Sequence, residues 1–292
     1  MYKQIAANKR NTILIMVGFV LLIAAVGCGF AYAYGDWSIA ITVIIIAAFY
    51  AGLQYFFADK FAVAMTGAAE ITKKDNPRLY NIVENLSITT GLPMPKVYII
   101  NDPAPNAFAT GRDPAHSLVA ATTGLLDIMD DKELTAVMAH EMSHIKNYDI
   151  RVSLITFGLV CLVGFISDLG TRMIFYGNRR KDEEGSPIGI LIILITSIFA
   201  PIAASIAQMA VSREREYLAD ASAVNITRYP EGMISALKKL GDHTQPMQHQ
   251  NPATEAMYIN NPLKKGTIAG LFSTHPSIEN RIERLEHGKN TF

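Results

Sequence analysis

The sequence predicts a mainly helical α+β protein that crosses a membrane several times. Of its 292 residues, 50% are hydrophobic, which is more apolar than an ordinary soluble domain. The apolar residues form long uncharged runs near the amino terminus and in the second half of the chain. Between these runs, residues 70–151 mix helical periodicity with short strand-like segments. The predicted fold class is therefore a multi-pass set of membrane helices combined with a small folded aqueous domain.

Composition and charge exclude several classes of protein. The 26 Lys and Arg residues balance the 26 Asp and Glu residues, so bulk charge gives no reason to expect a nucleic acid partner. The two cysteines, Cys28 and Cys161, each lie in an apolar run. They exclude a disulfide framework and offer no Cys-x-x-Cys pair for metal or redox chemistry. We interpret both as small buried hydrophobic residues.

Residues 1–60 predict an N-terminal transmembrane hairpin. The runs 13–34 and 37–57 are each apolar and long enough to span a bilayer, and a short polar step at Gly35 and Asp36 separates them. The membrane is thus expected to enclose both runs, with the step forming the connecting turn.

Basic residues predict the orientation of this hairpin. They precede it and follow it, whereas the turn carries only Asp36, so both ends should face the cytoplasm. The flanking basic residues are Lys3, Lys9, Arg10, Lys60, Lys73, Lys74 and Arg78. A small-residue pattern at 31–33 is also typical of a signal-peptidase site. We favour an uncleaved anchor, because the preceding apolar run is long and a second span follows at once.

Residues 61–151 predict the first part of an aqueous domain. A helix should begin at Pro77 and end before Gly91, because Pro suits the first helical position and Gly the position beyond the last. A longer helix should begin at Asp130, whose carboxylate can cap it while Glu133 reaches back. Short strands that should form a small sheet are expected at residues 97–100, 107–110 and 117–121.

A second hydrophobic pair is expected within residues 152–211. The run 188–211 is a convincing span, whereas the run 152–169 is short and leaves three alternatives open: a span, a re-entrant segment or a buried core helix. The basic loop between the runs should lie in the cytoplasm, yet a simple hairpin would place it outside. The sequence does not resolve this conflict.

Residues 212–292 predict the second part of the aqueous domain. A polar stretch at 242–262 is expected to form an exposed loop. Ser277 should cap a final helix. Two further helices are expected at residues 213–224 and 231–240.

Three residues of the long helix point to metal chemistry. His140 and His144 are four residues apart, so both imidazoles lie on one helix face and can bind one tetrahedral zinc ion. Glu141 would then lie beside the open metal position, where it can take a proton from water and later pass it to a leaving amine. The alternative is a surface helix face with solvated charges. We expect Asp149 to cap or brace this helix rather than to act in catalysis.

Two histidines leave zinc one protein ligand short. Glu216 is the candidate, because Asp220 follows four residues later on the same helix face and can hydrogen-bond the second nitrogen of a ligating imidazole. Glu214 competes for the role, although no Asp follows it at that spacing. A solvated face of alternating charge is the remaining alternative.

These motifs resemble the HtpX family of bacterial membrane proteases, which is related to the CAAX prenyl proteases. The resemblance covers most of the chain. It implies an integral enzyme of the bacterial inner membrane with one Zn²⁺ per chain and a catalytic domain in the cytoplasm. It also implies cleavage of damaged or misfolded membrane proteins under stress, and self-cleavage. The motifs that carry the resemblance are Asn106–Gly111, His140–His144, Glu216–Asp220 and Ser273–Ser277.

Carried onto this chain, the resemblance gives His140, His144 and Glu216 as metal ligands and Glu141 as the catalytic base. It makes His275 a donor to the oxyanion that develops when water attacks, with Arg281 a weaker second candidate. It also makes the strand of the first motif an edge on which substrate backbone adds. The expected substrate-binding residues of this strand are Asn106, Ala107, Phe108 and Gly111.

The full prediction is a zincin-like α+β metallopeptidase domain, in two parts, interrupted by the second hydrophobic pair. Three rivals stay open. An intramembrane protease of the site-2 type would carry the motif inside a span, which conflicts with the charged residues around it. A CAAX prenyl endopeptidase shares the motifs but has a longer chain. A non-enzymatic transporter or scaffold would use the zinc structurally, which three ligands beside a free Glu disfavour.

Overall fold

The computed structural model describes residues 2–158, 213–243, 245–248, 257–260 and 276–288. Apart from residues 152–158, the second hydrophobic pair expected at 152–211 lies outside this description. The expected oxyanion donor His275 also lies outside it.

Two long helices form the amino-terminal hairpin, α1 (Tyr2–Tyr34) and α2 (Trp37–Thr66). Asp36 caps α2 by accepting a hydrogen bond from the Ser38 backbone N–H at 2.9 Å. Each helix contains a segment apolar and long enough to cross a membrane, and only 24% and 17% of these segments is buried inside the protein. Their outward apolar side chains therefore require a nonaqueous neighbour, as expected of membrane spans.

A four-stranded sheet lies beside the carboxyl end of α2. Its order is β1-β2-β4-β3, with β2 and β4 parallel and the other pairs antiparallel. The three strands expected from the sequence are confirmed. Strand β3 is at one end of the order, so it is an edge strand. The strands are β1 (Ala69–Glu70), β2 (Lys96–Ile100), β3 (Ala107–Asp113) and β4 (His116–Thr122).

The two faces of the sheet are both covered, which the alternation of side chains along each strand permits. On one face, Phe108 and Leu118 pack against Ala58 and Ala62 of α2. The opposite face packs against helices α3 (Pro77–Thr90), α4 (Thr123–Ile128) and α5 (Asp131–Asn147). The sheet is therefore the layer that joins the membrane hairpin to the helices of the aqueous domain.

The helix signals of the aqueous domain are confirmed. Helix α3 begins after Asn76, whose side chain accepts from the Leu79 N–H, and ends at Gly91 in the left-handed conformation. Asp130 and Glu133 form a capping box at the start of α5. Residues 149–158 are helical (α6), and the later helices are α7 (Arg213–Thr227), α8 (Pro230–Asp242) and α9 (Ile278–Gly288).

The exposed loop expected at 242–262 is confirmed at residues 242, 243, 245, 246 and 248, but the expectation is wrong at Met247 and at residues 257–259, which are buried. Met247 is 2% exposed and Tyr258 is 1% exposed. Tyr258 bridges Phe108 of β3, and the Ile259 N–H donates to the Ala107 carbonyl at 3.0 Å. The polar composition of the stretch hid a short apolar segment, which covers the outer edge of β3 only at Ala107 and Phe108.

Candidate metal centre

His140 and His144 face the same point from helix α5. Their Nε2 atoms are 3.1 Å apart, and His140 is 1% exposed. The helix is fixed at both ends, by its capping box and by Tyr148 in the left-handed conformation at its carboxyl end. A buried helix face with two converging imidazoles is unusual unless a ligand joins them, since buried polar groups require partners.

Glu216 of helix α7 completes a set of three donors. Its carboxylate oxygens lie 3.6 Å from the Nε2 atoms of both histidines. Within the described ranges, these three side chains are the group of His, Cys, Asp and Glu that could hold a metal ion. Ligands about 2.1 Å from a tetrahedral zinc ion lie roughly 3.4 Å from one another, which matches these separations. The residues therefore fit a bound metal ion.

Glu141 lies beside this donor set and is 2% exposed. Burial, reinforced by the charge of Glu216, raises the pKa of its carboxyl to about 7, although His144, Arg281 and the Ala109 N–H act in the opposite direction. With a dication bound, the carboxylate form of Glu141 is favoured, and this form can accept a proton as a general base requires.

On one side of the centre, Asp220 holds His140. The Asp220 Oδ1 atom is 2.9 Å from the His140 Nδ1 atom. Arg281 donates to both oxygens of Asp220, at 2.8 and 2.6 Å, and all three side chains are at most 2% exposed. A carboxylate at Nδ1 favours a proton there and leaves the Nε2 lone pair for a metal.

On the other side, Asp149 holds His144. Its Oδ2 atom is 3.0 Å from the His144 Nδ1 atom, and its Oδ1 atom accepts a 2.6 Å hydrogen bond from Asn8 of α1. Burial lowers the pKa of His144, but Asp149 and Glu216 raise it to about 9. For His140, burial outweighs Asp220 and lowers the pKa. The two imidazoles therefore occupy different electrostatic environments.

The structure separates the two candidates for third ligand. Glu216 is brought to the histidines, whereas the Glu214 side chain is 75% exposed and lies 3.8 Å from Arg284. Arg281, the weaker oxyanion candidate, lies behind His140 in its ion pair with Asp220. Sequence reasoning missed the contact of Asn8 with Asp149, which are 141 residues apart, and no local signal marks it.

The expected substrate strand is partly covered. Asn106 donates through its side chain to the Asn260 carbonyl at 2.9 Å and accepts from the Asn260 N–H at 3.2 Å. Ala107 and Phe108 contact residues 258–259. Farther along, the Ala109 N–H lies next to Glu141, and Gly111 has a φ of 141°. A Cβ at Gly111 would lie 2.3 Å from the His116 carbonyl oxygen, so only glycine fits there.

Fold and site together define a membrane metallopeptidase of the His-Glu-x-x-His type. Residues 73–289 match the model of peptidase family M48. The chain is 54% identical to the Protease HtpX homolog of Tropheryma whipplei (strain Twist), with all of both chains covered. It is 46% identical to the Protease HtpX homolog of Ligilactobacillus salivarius (strain UCC118), covering 98% of this chain and 99% of that one. The chain belongs to peptidase family M48, with the HtpX proteases as relatives.

A solved structure has the same fold. The crystal structure of S. mikatae Ste24p matches with a TM-score of 0.52 at 18% identity, covering 98% of this chain and 67% of that chain. Identity this low shows a shared fold alone.

Proposed function

We propose that the protein is a zinc-dependent endopeptidase in which His140, His144 and Glu216 hold one Zn²⁺ ion. The observation that carries the proposal is the match between the donor separations of 3.1, 3.6 and 3.6 Å and a tetrahedral site. Two imidazoles and one carboxylate are also the donor set of many catalytic zinc sites, which keep a fourth position open. A structural site would instead fill that position with protein.

The chemistry follows from the residues around the three ligands. The ion, when bound, supplies a Lewis acid for the scissile carbonyl and for the attacking water. Glu141 takes the proton of that water and delivers it to the leaving amine, for which its buried carboxyl is suited. Asp220 and Asp149 fix the rings of His140 and His144 and favour the tautomer that binds metal.

The outer edge of β3 is the proposed site for substrate backbone. The Ala109 N–H lies beside Glu141, so a peptide added along Ala109–Gly111 would bring its scissile bond to the base. Asn106 supports this edge by holding Asn260. Ala107 and Phe108 support it through residues 258–259. Main-chain recognition is indifferent to side chains, which suits substrates of varied sequence.

For oxyanion stabilisation we favour His275 over Arg281. Both terminal nitrogens of Arg281 are directed to partners, with Nη2 at 2.6 Å from Asp220 and Nη1 at 3.8 Å from Glu216. A guanidinium held in this way is available to brace the ligands rather than to meet a reacting oxygen. His275 remains a prediction from the sequence resemblance.

The setting we propose is a bacterial inner membrane that the chain crosses several times, with the catalytic domain in the cytoplasm. The substrates are damaged or misfolded membrane proteins cleaved during stress, including copies of the enzyme itself. Support comes from the packing of α2 on the sheet, which holds the active site close to the end of a candidate span. A cleft there is within reach of a partly extracted membrane segment.

The test is cleavage of an unfolded membrane protein by the purified enzyme, with and without a zinc chelator. We expect chelation to abolish cleavage and added zinc to restore it. Glu141→Gln should retain one zinc per chain and cleave about 10²–10⁴-fold more slowly, the usual contribution of a general base. Glu214→Gln, an exposed control, should behave as wild type. A Glu141→Gln variant that cleaves at the wild-type rate overturns the proposal.

A further inference from the structure

Asn8 stands out because it is a buried polar residue near the amino-terminal end of a candidate membrane span, next to the flanking residues Lys9 and Arg10. It lies in the span Ile5–Ala25 of α1 and is 3% exposed. A polar side chain is costly to bury without hydrogen-bond partners, so the protein must supply the partners of Asn8. Its partners therefore indicate what α1 does beyond anchoring the chain.

Both partners of Asn8 belong to the turn that follows the helix of the two histidines. Its side-chain amide donates to the Asn147 carbonyl at 2.9 Å and to the Asp149 Oδ1 atom at 2.6 Å. Asn147 is the last residue of α5, so one bond satisfies a carbonyl that the helix leaves without an internal partner. The other bond fixes the carboxylate that contacts His144.

The turn between these partners requires support. Tyr148 has a φ of 61°, in the left-handed region, which is unfavourable by about 1 kcal/mol or more for a residue with a Cβ. Lys9, the neighbour of Asn8, places its ammonium 4.3 Å from the centre of the Tyr148 ring. Helix α1 thus contacts each of the three residues 147–149.

Asp149 can orient His144 only if its own position is fixed. Its Oδ2 atom contacts the His144 Nδ1 atom at 3.0 Å, while its Oδ1 atom receives Asn8 and lies 3.9 Å from Arg215. The Asn8 contact is shorter than the Arg215 contact, and it is a directional hydrogen bond. An unbroken chain of contacts therefore runs from α1 through Asp149 to the imidazole.

We propose that Asn8 is a positioning residue, through which the membrane helix α1 fixes Asp149 and so orients His144 for metal binding. This inference rests on the proposed metal site. It predicts that correct docking of α1 sets the affinity of the centre for zinc. A membrane anchor that only tethers the domain would not have this effect.

The experiment measures zinc dissociation constants of the purified full-length protein by competition with a chromophoric chelator. Asn8→Asp keeps the shape of the side chain but removes both N–H donors and sets a second carboxylate against Asp149. We expect zinc to bind about tenfold more weakly, the lower end of the range for groups outside the ligand shell. Asn11→Asp is the matched control, since Asn11 is exposed on the same helix, and should bind zinc as wild type does.

A double-mutant cycle separates positioning from simple attachment. In an Asp149→Ala background, Asn8→Ala should change the zinc dissociation constant less than twofold, because the residue through which Asn8 acts is gone. Asn8→Ala alone should weaken binding several-fold, which also covers the case in which Asn8→Asp fails to fold. Unchanged affinity in the single Asn8 variants, or an equal loss in both backgrounds, overturns this inference alone. A wild-type protein that binds no zinc overturns the proposed function with it.

Discussion

The two histidines of the metal centre are supported in opposite ways. His140 is held by Asp220 and Arg281, a cluster at most 2% exposed that belongs to the aqueous domain. His144 is held by Asp149, which reaches Asn8 in the membrane hairpin. One ligand is therefore supported within the domain and the other by the anchor. The difference teaches that the contacts around His144, unlike those around His140, include a residue of the amino-terminal hairpin.

Replacing Glu216 should have the largest effect, because Glu216 would join His140 and His144 in binding a single metal ion. We expect Glu216→Ala to lose bound zinc and all cleavage, because only two protein ligands remain. Glu214→Ala, two residues earlier on an exposed face, should keep one zinc per chain. Metal analysis of the two purified variants decides this. Zinc loss only at Glu214 would reverse the assignment of the third ligand.

The contacts that support His140 should contribute more to the free energy of unfolding than the contacts that support His144. Asp220→Ala leaves Arg281 buried without its bidentate partner, which should lower the free energy of unfolding by about 3–5 kcal/mol. Adding Arg281→Met removes the unpaired charge and should recover much of that loss. Denaturant unfolding in detergent measures both. A double variant no more stable than Asp220→Ala would contradict the buried ion pair as the cause.

Removing the carboxylate that supports His144 should cause a smaller loss of stability together with weaker metal binding. For Asp149→Ala we expect a loss of about 1–3 kcal/mol, typical of removing one hydrogen-bonding partner. Zinc should bind about 10–100-fold more weakly. The same denaturant series and chelator competition provide the numbers. If Asp149→Ala destabilises the fold more than Asp220→Ala, the contrast between the two sides is wrong.

Glu133 lies at the start of α5, away from both histidines. We expect it to have the smallest effect, a change of folding stability with pH. Burial tends to raise the pKa of Glu133, but hydrogen bonds from Lys239 and Ser235 lower it overall. A lowered folded-state pKa adds stability above the unfolded value of 4.5, and this stability is lost as pH falls through the folded value. The stability gap between wild type and Glu133→Gln should therefore shrink from pH 7 to pH 4. A constant gap in melting temperature would contradict the assignment.

Local signals predicted much of this molecule. The helix start at Pro77, the cap at Asp130 and the helix end at Gly91 lie where residue chemistry places them, since these signals depend only on neighbours in the chain. The spacing of His140 and His144 and of Glu216 and Asp220 likewise places each pair on one helix face.

Local signals did not predict the contacts between segments that are distant in sequence. Nothing near Asn8 in the sequence indicates Asp149, because the contact depends on how two helices dock. Arg281 was assigned a weak role at the reacting oxygen, whereas its pairing with Asp220 across 61 residues is a product of tertiary packing. The burial of Tyr258 against β3 was not predicted for the same reason, since the surrounding stretch 242–262 is rich in Gln, Asn and Pro.

Zinc K-edge X-ray absorption on the purified wild-type protein tests the central claim most directly. The donor set of His140, His144 and Glu216 predicts scattering from two imidazoles together with oxygen ligands, at about 2.0–2.2 Å. A spectrum with one imidazole, with three, or with a sulfur shell near 2.3 Å would contradict the site described for this chain.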